Sequence, residues 1–256
     1  FMNHKHFVYS FILFSFSLNL VCCTKDNPAP GKGKSSAIFN PNKEYGTVTD
    51  IDGNEYKTIT IGTQTWMAEN LRVTHYQNGD PIPNVKENVV WSQLSTGAYC
   101  SFNNTKNLDS IATFGYLYNW FTCVDERNLC PDGWHVPSDE EWTTLVTYLD
   151  NGDNEFDPNG TGTNGLVGGR MKEAGTTHWA IPNQGDNSSG FTALPSGSRE
   201  YSDGFFYNTQ RRCFYWSTSK FSNIGSFERS MSANYTSIVR QVLPNGNGMA
   251  VRCIKD

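Results

Sequence analysis

The chain has 256 residues, of which 18% are charged and 14% aromatic, with a formal charge of −5. It carries no basic block, so it lacks the phosphate-neutralising surface of a nucleic-acid binder. The aromatic content is ample for the core of one domain of about 210 residues.

The chain opens on a targeting signal. His4, Lys5 and His6 form a weakly positive start, and residues 7–21 are mostly apolar. That run is shorter than the ~20 residues of a membrane-spanning helix, which makes it an export signal. It ends in Leu20-Val21-Cys22-Cys23, similar to a bacterial lipobox. Leu20 stands three places before Cys23, whereas Asn19 stands three before Cys22, so Cys23 is the expected lipid acceptor. The alternative is an ordinary secretory signal that ends in cysteines. The expected organisation is a lipoprotein signal peptide over 1–22, a Pro/Gly/Ser-rich tether over 23–45, and one domain over 46–256. A lipid on Cys23 anchors a soluble domain without spanning the membrane. The expected location is the outer membrane or cell surface of a Gram-negative bacterium.

Within 46–256, residues 47–62 read as a hairpin turning at Asp52-Gly53, a strong turn signal between β-rich runs. Trp66, Met67 and Leu71 follow as core. Residues 72–113 are loop-rich, and the aromatic run 114–121 suits a short helix or strand. Residues 138–150 predict a helix. Ser138 caps it, Glu141 completes a capping box, and Trp142, Leu145, Val146 and Leu149 share one face. Residues 151–169 form a Gly/Asn/Asp loop. Asp157, Asn159, Thr161 and Gly162 copy the first half of an EF-hand loop, but Gly168 stands where the bidentate Glu belongs. A solvated loop is therefore the default, Ca2+ the alternative, and no cofactor is expected. A second short helix is expected over 166–173, then strands at 190–195, 205–207, 213–217, 226–233 and 249–254.

Past the export segment the only histidines are His75, His135 and His178. No His-Glu-x-x-His, Gly-x-Ser-x-Gly or phosphate loop occurs. Five cysteines remain: Cys100, Cys123, Cys130, Cys213 and Cys253. They match no zinc spacing, an exported location permits disulfides, and the odd count leaves one unpaired. Asp139, Glu140 and Glu141 compensate a helix dipole rather than form an acid/base pair. The candidate ligand contacts are Asn183, Asp186, Asn187 and Arg199, in polar loops near Trp179 and Phe191. The same groups serve equally to bond loop backbone. Trp216 is the aromatic candidate, although its run has core-strand character. No catalytic residue and no metal site is expected.

Taken in order, the segments resemble a known family. They are Ile61-Gly62-Thr63-Gln64-Thr65-Trp66-Met67-Ala68-Glu69-Asn70-Leu71, then Gly115-Tyr116-Leu117-Tyr118-Asn119-Trp120, then Cys130-Pro131-Asp132-Gly133-Trp134-His135-Val136-Pro137-Ser138. Gly190-Phe191-Thr192-Ala193-Leu194-Pro195, Tyr215-Trp216-Ser217 and Val251-Arg252-Cys253-Ile254 complete the set. Together they resemble the Fibrobacter succinogenes major paralogous domain of exported proteins and lipoproteins in Bacteroidetes and Fibrobacteres, over about 46–256. The resemblance implies an α+β, C-type-lectin-like fold with small mixed or antiparallel sheets, one or two short helices and long loops. Formylglycine-generating enzymes use the same fold. It implies that the hairpin at 47–61 neighbours the strand at 249–254, and that Cys130 bonds Cys253. Cys123 and Cys213 stand outside the usual family pattern and are expected as a second bridge, leaving Cys100 free. The calcium triplets of sugar-binding lectins, Glu-Pro-Asn and Trp-Asn-Asp, are absent. The expected function is non-catalytic binding or adhesion, with a glycan or a cell-surface protein as ligand. One alternative is a copper/thiol oxidoreductase of the formylglycine-generating kind, which needs two nearby reduced cysteines. Another is a structural subunit of a fimbrial or envelope complex.

Overall fold

The structure is a computed structural model that describes residues 1–2, 32–151 and 163–256. The apolar export run, Cys23 and the calcium-like loop with Asp157, Asn159 and Thr161 lie outside the described residues.

The hairpin forms as expected. Strand β1 (Gly46–Thr49) pairs antiparallel with β2 (Glu55–Ile61), with Val48 opposite Tyr56. Gly53 takes φ 72° in the turn, a conformation that costs glycine little. The Asn54 amide donates to Asp50 Oδ1 at 2.8 Å, and the Tyr56 hydroxyl donates to Asp50 Oδ2 at 2.5 Å. Strand β3 (Gln64–Met67) folds back on β2. Next come α1 (Asn88–Trp91), β4 (Tyr99–Cys100), α2 (Leu108–Phe114), β5 (Leu117–Tyr118) and α3 (Trp120–Cys123). Asn107 and Asn119 cap α2 and α3 through their side chains. The aromatic run at 114–121 is therefore both strand and helix, split at the capping Asn119. Strand β6 (Trp134–His135) leads into α4 (Asp139–Asp150), where Ser138 and Glu141 make the capping box foreseen from their spacing. Strand β7 (Thr163–Asn164) and α5 (Val167–Met171) follow, then β8 (Ser198–Arg199), β9 (Phe206–Tyr207), β10 (Arg212–Lys220), β11 (Gly225–Ser232), β12 (Ile238–Pro244) and β13 (Ile254–Lys255).

These elements make an α+β fold of antiparallel sheets with short helices. One sheet runs β1-β2-β3-β13-β6, a second runs β10-β11-β12-β7, and two further pairs are β4-β5 and β8-β9. The two ends of the domain share the first sheet, but β3 stands between the hairpin and β13, with Ile254 opposite Trp66. The strand expected over 249–254 is reduced to its last residue and Lys255. The preceding residues each bond a different element: Met249 bridges Tyr118, Ala250 bridges Tyr215, and the Val251 carbonyl accepts the Leu71 amide at 2.9 Å. No strand forms over 190–195, where Ala193 makes only a single bridge to Lys172. Strand β12 was not legible because Arg240 and Gln241 interrupt its apolar alternation.

Both faces of β10 are buried. Cys213 and Tyr215 enter one hydrophobic cluster, Phe214 and Trp216 the other, because neighbouring strand side chains point to opposite faces. Helix α4 lays Trp142, Leu145 and Val146 onto the first cluster, beside Trp66 and Phe191. Each such side chain contributes about 1.5–3 kcal/mol on full burial.

The Cys130–Cys253 disulfide joins the stretch leading into β6 to the stretch leading into β13, with Cα atoms 6.0 Å apart. The expected second bridge is absent. Cys123 and Cys213 are free and buried, and they pack in different clusters.

Residues 32–45, the described part of the expected tether, belong to the same unit as the domain. The Lys34 amide donates to Asp109 Oδ1 at 2.8 Å, the Ile38 amide to Glu173 Oε1 at 2.6 Å, and Asn40 Nδ2 to the Asn187 carbonyl at 2.9 Å. Phe39 and Tyr45 pack on the first core cluster. A stretch without hydrophobic period still docks when its amides find acceptors and two aromatic rings find a core.

Candidate functional site

The residues singled out from the sequence do not converge. Asn183 spans a loop, its Nδ2 donating to the Glu173 and Gly175 carbonyls at 2.8 and 2.7 Å. Asp186 accepts the Ser188 amide at 2.8 Å, a local turn bond. Asn187 is buried and exchanges bonds with Thr192 at 2.9 and 3.0 Å. Arg199 is buried, donating to the carbonyls of Gly204, Val85 and Lys86 while stacked on Trp91. Trp216 is buried, its Nε1 donating to the Tyr118 carbonyl at 2.9 Å. These groups bond loop backbone, the second of the two roles their sequence context allowed.

Two polar clusters close on themselves. At the start of α4, Asp139 accepts from Arg229 at 2.6 Å and from Arg240 at 2.7 Å. Beside it, His135 bridges Glu141 at 2.8 Å and Asp256 at 2.6 Å. Burial opposes ionisation of Asp139, but bonds and charge from Arg240 and Arg229 hold its carboxyl below the usual range. Burial likewise opposes ionisation of Glu141, and bonds from Ser138 and His135 outweigh it.

The second cluster is a hydroxyl–imidazole–carboxylate chain. Ser36 Oγ lies 3.0 Å from His178 Nε2, and His178 Nδ1 lies 2.7 Å from Glu173 Oε2. The order matches a nucleophile relay, yet every member is also a clamp. Ser36 bonds Thr113 through its amide and hydroxyl at 3.0 and 3.1 Å, and Glu173 holds the Ile38 amide. The cluster therefore fastens the leading segment onto α2.

The open site borders Phe114, whose ring packs edge-on against His178 at 5.6 Å. A cavity of about 290 Å³ is lined by Phe102, Asn103, Thr105, Phe114, Ser196 and Thr209, among others, and by no charged side chain. Asn103 sits at φ 51°, one of the few residue types that tolerate this conformation. Phe102 is braced by Phe206 at 5.3 Å. Ser196 is 2% exposed, and its hydroxyl has no hydrogen-bond partner. That oxygen is out of reach of solvent, and the exposed polar side chains of the lining are Asn103 and Thr209. Sequence reasoning missed this site, since small polar residues from three distant loops carry no periodic or motif signal.

The free thiols do not form a pair, since Cys100, Cys123 and Cys213 belong to three different packing clusters. Burial pushes the Cys100 and Cys213 thiols up to about 12 and raises Cys123 further. Among the described residues, no group of three or more His, Cys, Asp or Glu side chains is placed to hold a metal ion. Among the same residues, no helix is long and apolar enough to cross a membrane.

A family model described as the Fibrobacter succinogenes major domain matches residues 59–255. No curated protein and no solved structure matches the chain.

Proposed function

We propose, for a chain that belongs to the Fibrobacter succinogenes major domain family, that it is a binding domain whose uncharged cavity receives a neutral sugar unit of a glycan. The observation that carries this reading is a cavity walled by two phenyl rings and neutral polar groups, with no charged side chain. A sugar ring has an apolar face and a rim of hydroxyls. Phe102 and Phe114 suit the face, while Asn103, Thr105 and Thr209 suit the rim. The volume is at the small end for ligand sites, enough for about one or two rings. The lectin-like architecture and the lipid on Cys23 belong to the same proposal, which sets the domain outside the cell, anchored to the outer membrane. The copper/thiol alternative gains no support, because it requires a thiol pair.

A glycan array followed by NMR titration tests the reading. Thr209→Trp, an exposed position on the cavity rim, is expected to weaken binding at least tenfold with an unchanged melting temperature. A blank array with folded protein refutes glycan binding. Mass spectrometry of the mature N-terminus tests the anchor, and an unmodified Cys23 removes it.

A further inference from the structure

The hydroxyl–imidazole–carboxylate chain at the leading segment has its protons placed by its own bonds. Glu173 is fully buried, and His178 is 9% exposed. Both Glu173 carboxylate oxygens face His178 Nδ1, at 2.7 and 3.0 Å. The neutral imidazole therefore carries its hydrogen on Nδ1, and Nε2 is left as an acceptor. Thr113 Oγ1 donates its one hydrogen to the Asp109 carbonyl at 2.8 Å, so towards Ser36 it can only accept. The Ser36 hydroxyl is then the donor, with His178 Nε2 at 3.0 Å and Thr113 Oγ1 at 3.1 Å as its acceptors.

The chain around that hydroxyl is held along one edge. The Lys34, Ser36 and Ile38 amides donate to Asp109 Oδ1, Thr113 Oγ1 and Glu173 Oε1, at 2.8, 3.0 and 2.6 Å. The Ala37 amide is bonded more loosely, to Ser35 Oγ at 3.3 Å. Ser36 and Ile38 are both exposed. The serine end of the relay thus borders solvent while its carboxylate end is sealed in the core. Ser36 stands ahead of residues 59–255, which the family model matches. The leading segment of this chain completes a group whose other two members, Glu173 and His178, lie inside that match.

We propose that Ser36 is a nucleophile activated by His178 and Glu173, and that it takes an acyl group from an uncharged ester. The proposal goes beyond the glycan reading and does not depend on it. Ser36 Oγ attacks the ester carbonyl carbon as its hydrogen passes to His178 Nε2. The Oγ–C bond forms, the bond to the leaving oxygen breaks, and His178 returns the proton so that the leaving group departs as an alcohol. Water, deprotonated by the same imidazole, then releases the carboxylic acid and restores the serine. Glu173 holds the imidazole in its accepting tautomer and stabilises the imidazolium that forms, as the third member of such a triad does. The Ala37 amide follows the nucleophile, a position that supplies an oxyanion donor in α/β-hydrolases. Ile38, exposed two residues on, suits an apolar acyl chain.

The test uses the folded protein, a fluorophosphonate probe and p-nitrophenyl acetate. Peptide mass spectrometry is expected to find the probe on Ser36 and not on the neighbouring Ser35 or the exposed Ser202, and on none of them in urea. The ester is expected to release p-nitrophenol and to leave an acetyl group on Ser36. Ser36→Ala is expected to abolish both reactions. Glu173→Gln still offers an oxygen to the Ile38 amide, but its own amide can turn the imidazole to the wrong tautomer. It is expected to slow labelling about 100-fold or more, with folding checked by the melting temperature. A merely structural cluster would leave the labelling rate unmoved. A folded protein whose Ser36 stays unlabelled overturns the proposal without recourse to any variant. Equal labelling of Ser36 and Ser202 overturns it, as does a folded Glu173→Gln variant that labels at the wild-type rate.

Discussion

The start of α4 and the turn at 208–212 use similar side chains to opposite ends. At the helix, Asp139 takes Arg229 and Arg240, Glu141 takes Ser138 and His135, and His135 reaches on to Asp256. At the turn, Thr209 lines one cavity, and Asn208, Arg211 and Arg212 line another. A polar group in the interior costs free energy until it is bonded. A region that closes its own bonds is a fastening, and one whose side chains line a cavity stays accessible. The same distinction sorts the polar residues picked from the sequence. Asn187 and Arg199 are of the closed kind.

Breaking the closed region is expected to be costly. Asp139→Ala leaves Arg229, 1% exposed, with its charge uncompensated, and is expected to lower stability by about 3–5 kcal/mol in urea unfolding. A loss below about 1 kcal/mol would show that this ion cluster is not what fixes the helix start. Removing the Cys130–Cys253 bridge, whose residues are 123 apart, is expected to cost ~2–5 kcal/mol. Thermal unfolding of the double serine variant measures it. Ser138→Ala opens the capping box and is expected to cost about 1 kcal/mol. Circular dichroism and urea midpoints check that figure, and a wild-type midpoint contradicts the capping role.

The same comparison has a pH signature. Asp139 and Glu141 have folded pKa values below their unfolded ones. Their contribution is full above the unfolded values, about 4, and fades as pH falls through the folded ones. His135 runs the other way. Burial lowers its pKa, but the bonds to Asp256 and Glu141 raise it on balance. Its contribution is present below about 6.5 and is lost as pH rises through the folded value. The melting temperature is expected to fall on the acid side and, by less, on the basic side, and Asp139→Asn is expected to flatten the acid limb. The smallest effect belongs to the open region. Arg211→Ala is expected to shift stability by less than about 0.5 kcal/mol, and a larger shift would class Arg211 with the fastenings.

What could be read in advance was local. Helix α4 follows from Ser138, Glu141 and four apolar residues at helical spacing, and the hairpin follows from Asp52-Gly53, because each depends on groups within a few residues. The family resemblance supplied the Cys130–Cys253 bridge. The expected second bridge failed because nothing in a spacing says that Cys123 and Cys213 face different sides of the core. The docking of the residues ahead of 46 was not legible, because the Ile38 amide bonds Glu173, 135 residues away, and the Phe39 ring packs on the core.

By itself, the sequence determined where the hairpin turns, where the long helix starts and which aromatic residues form the core, since those depend on backbone preference and short-range pattern. The tertiary structure alone decided which polar groups are closed and which stay open. Ser196 and Thr209 meet Phe102 and Phe114, and Arg212 meets Ser230, only after distant loops have packed. Whether a polar group has a partner is a fact of three-dimensional distance, which residue order does not encode locally.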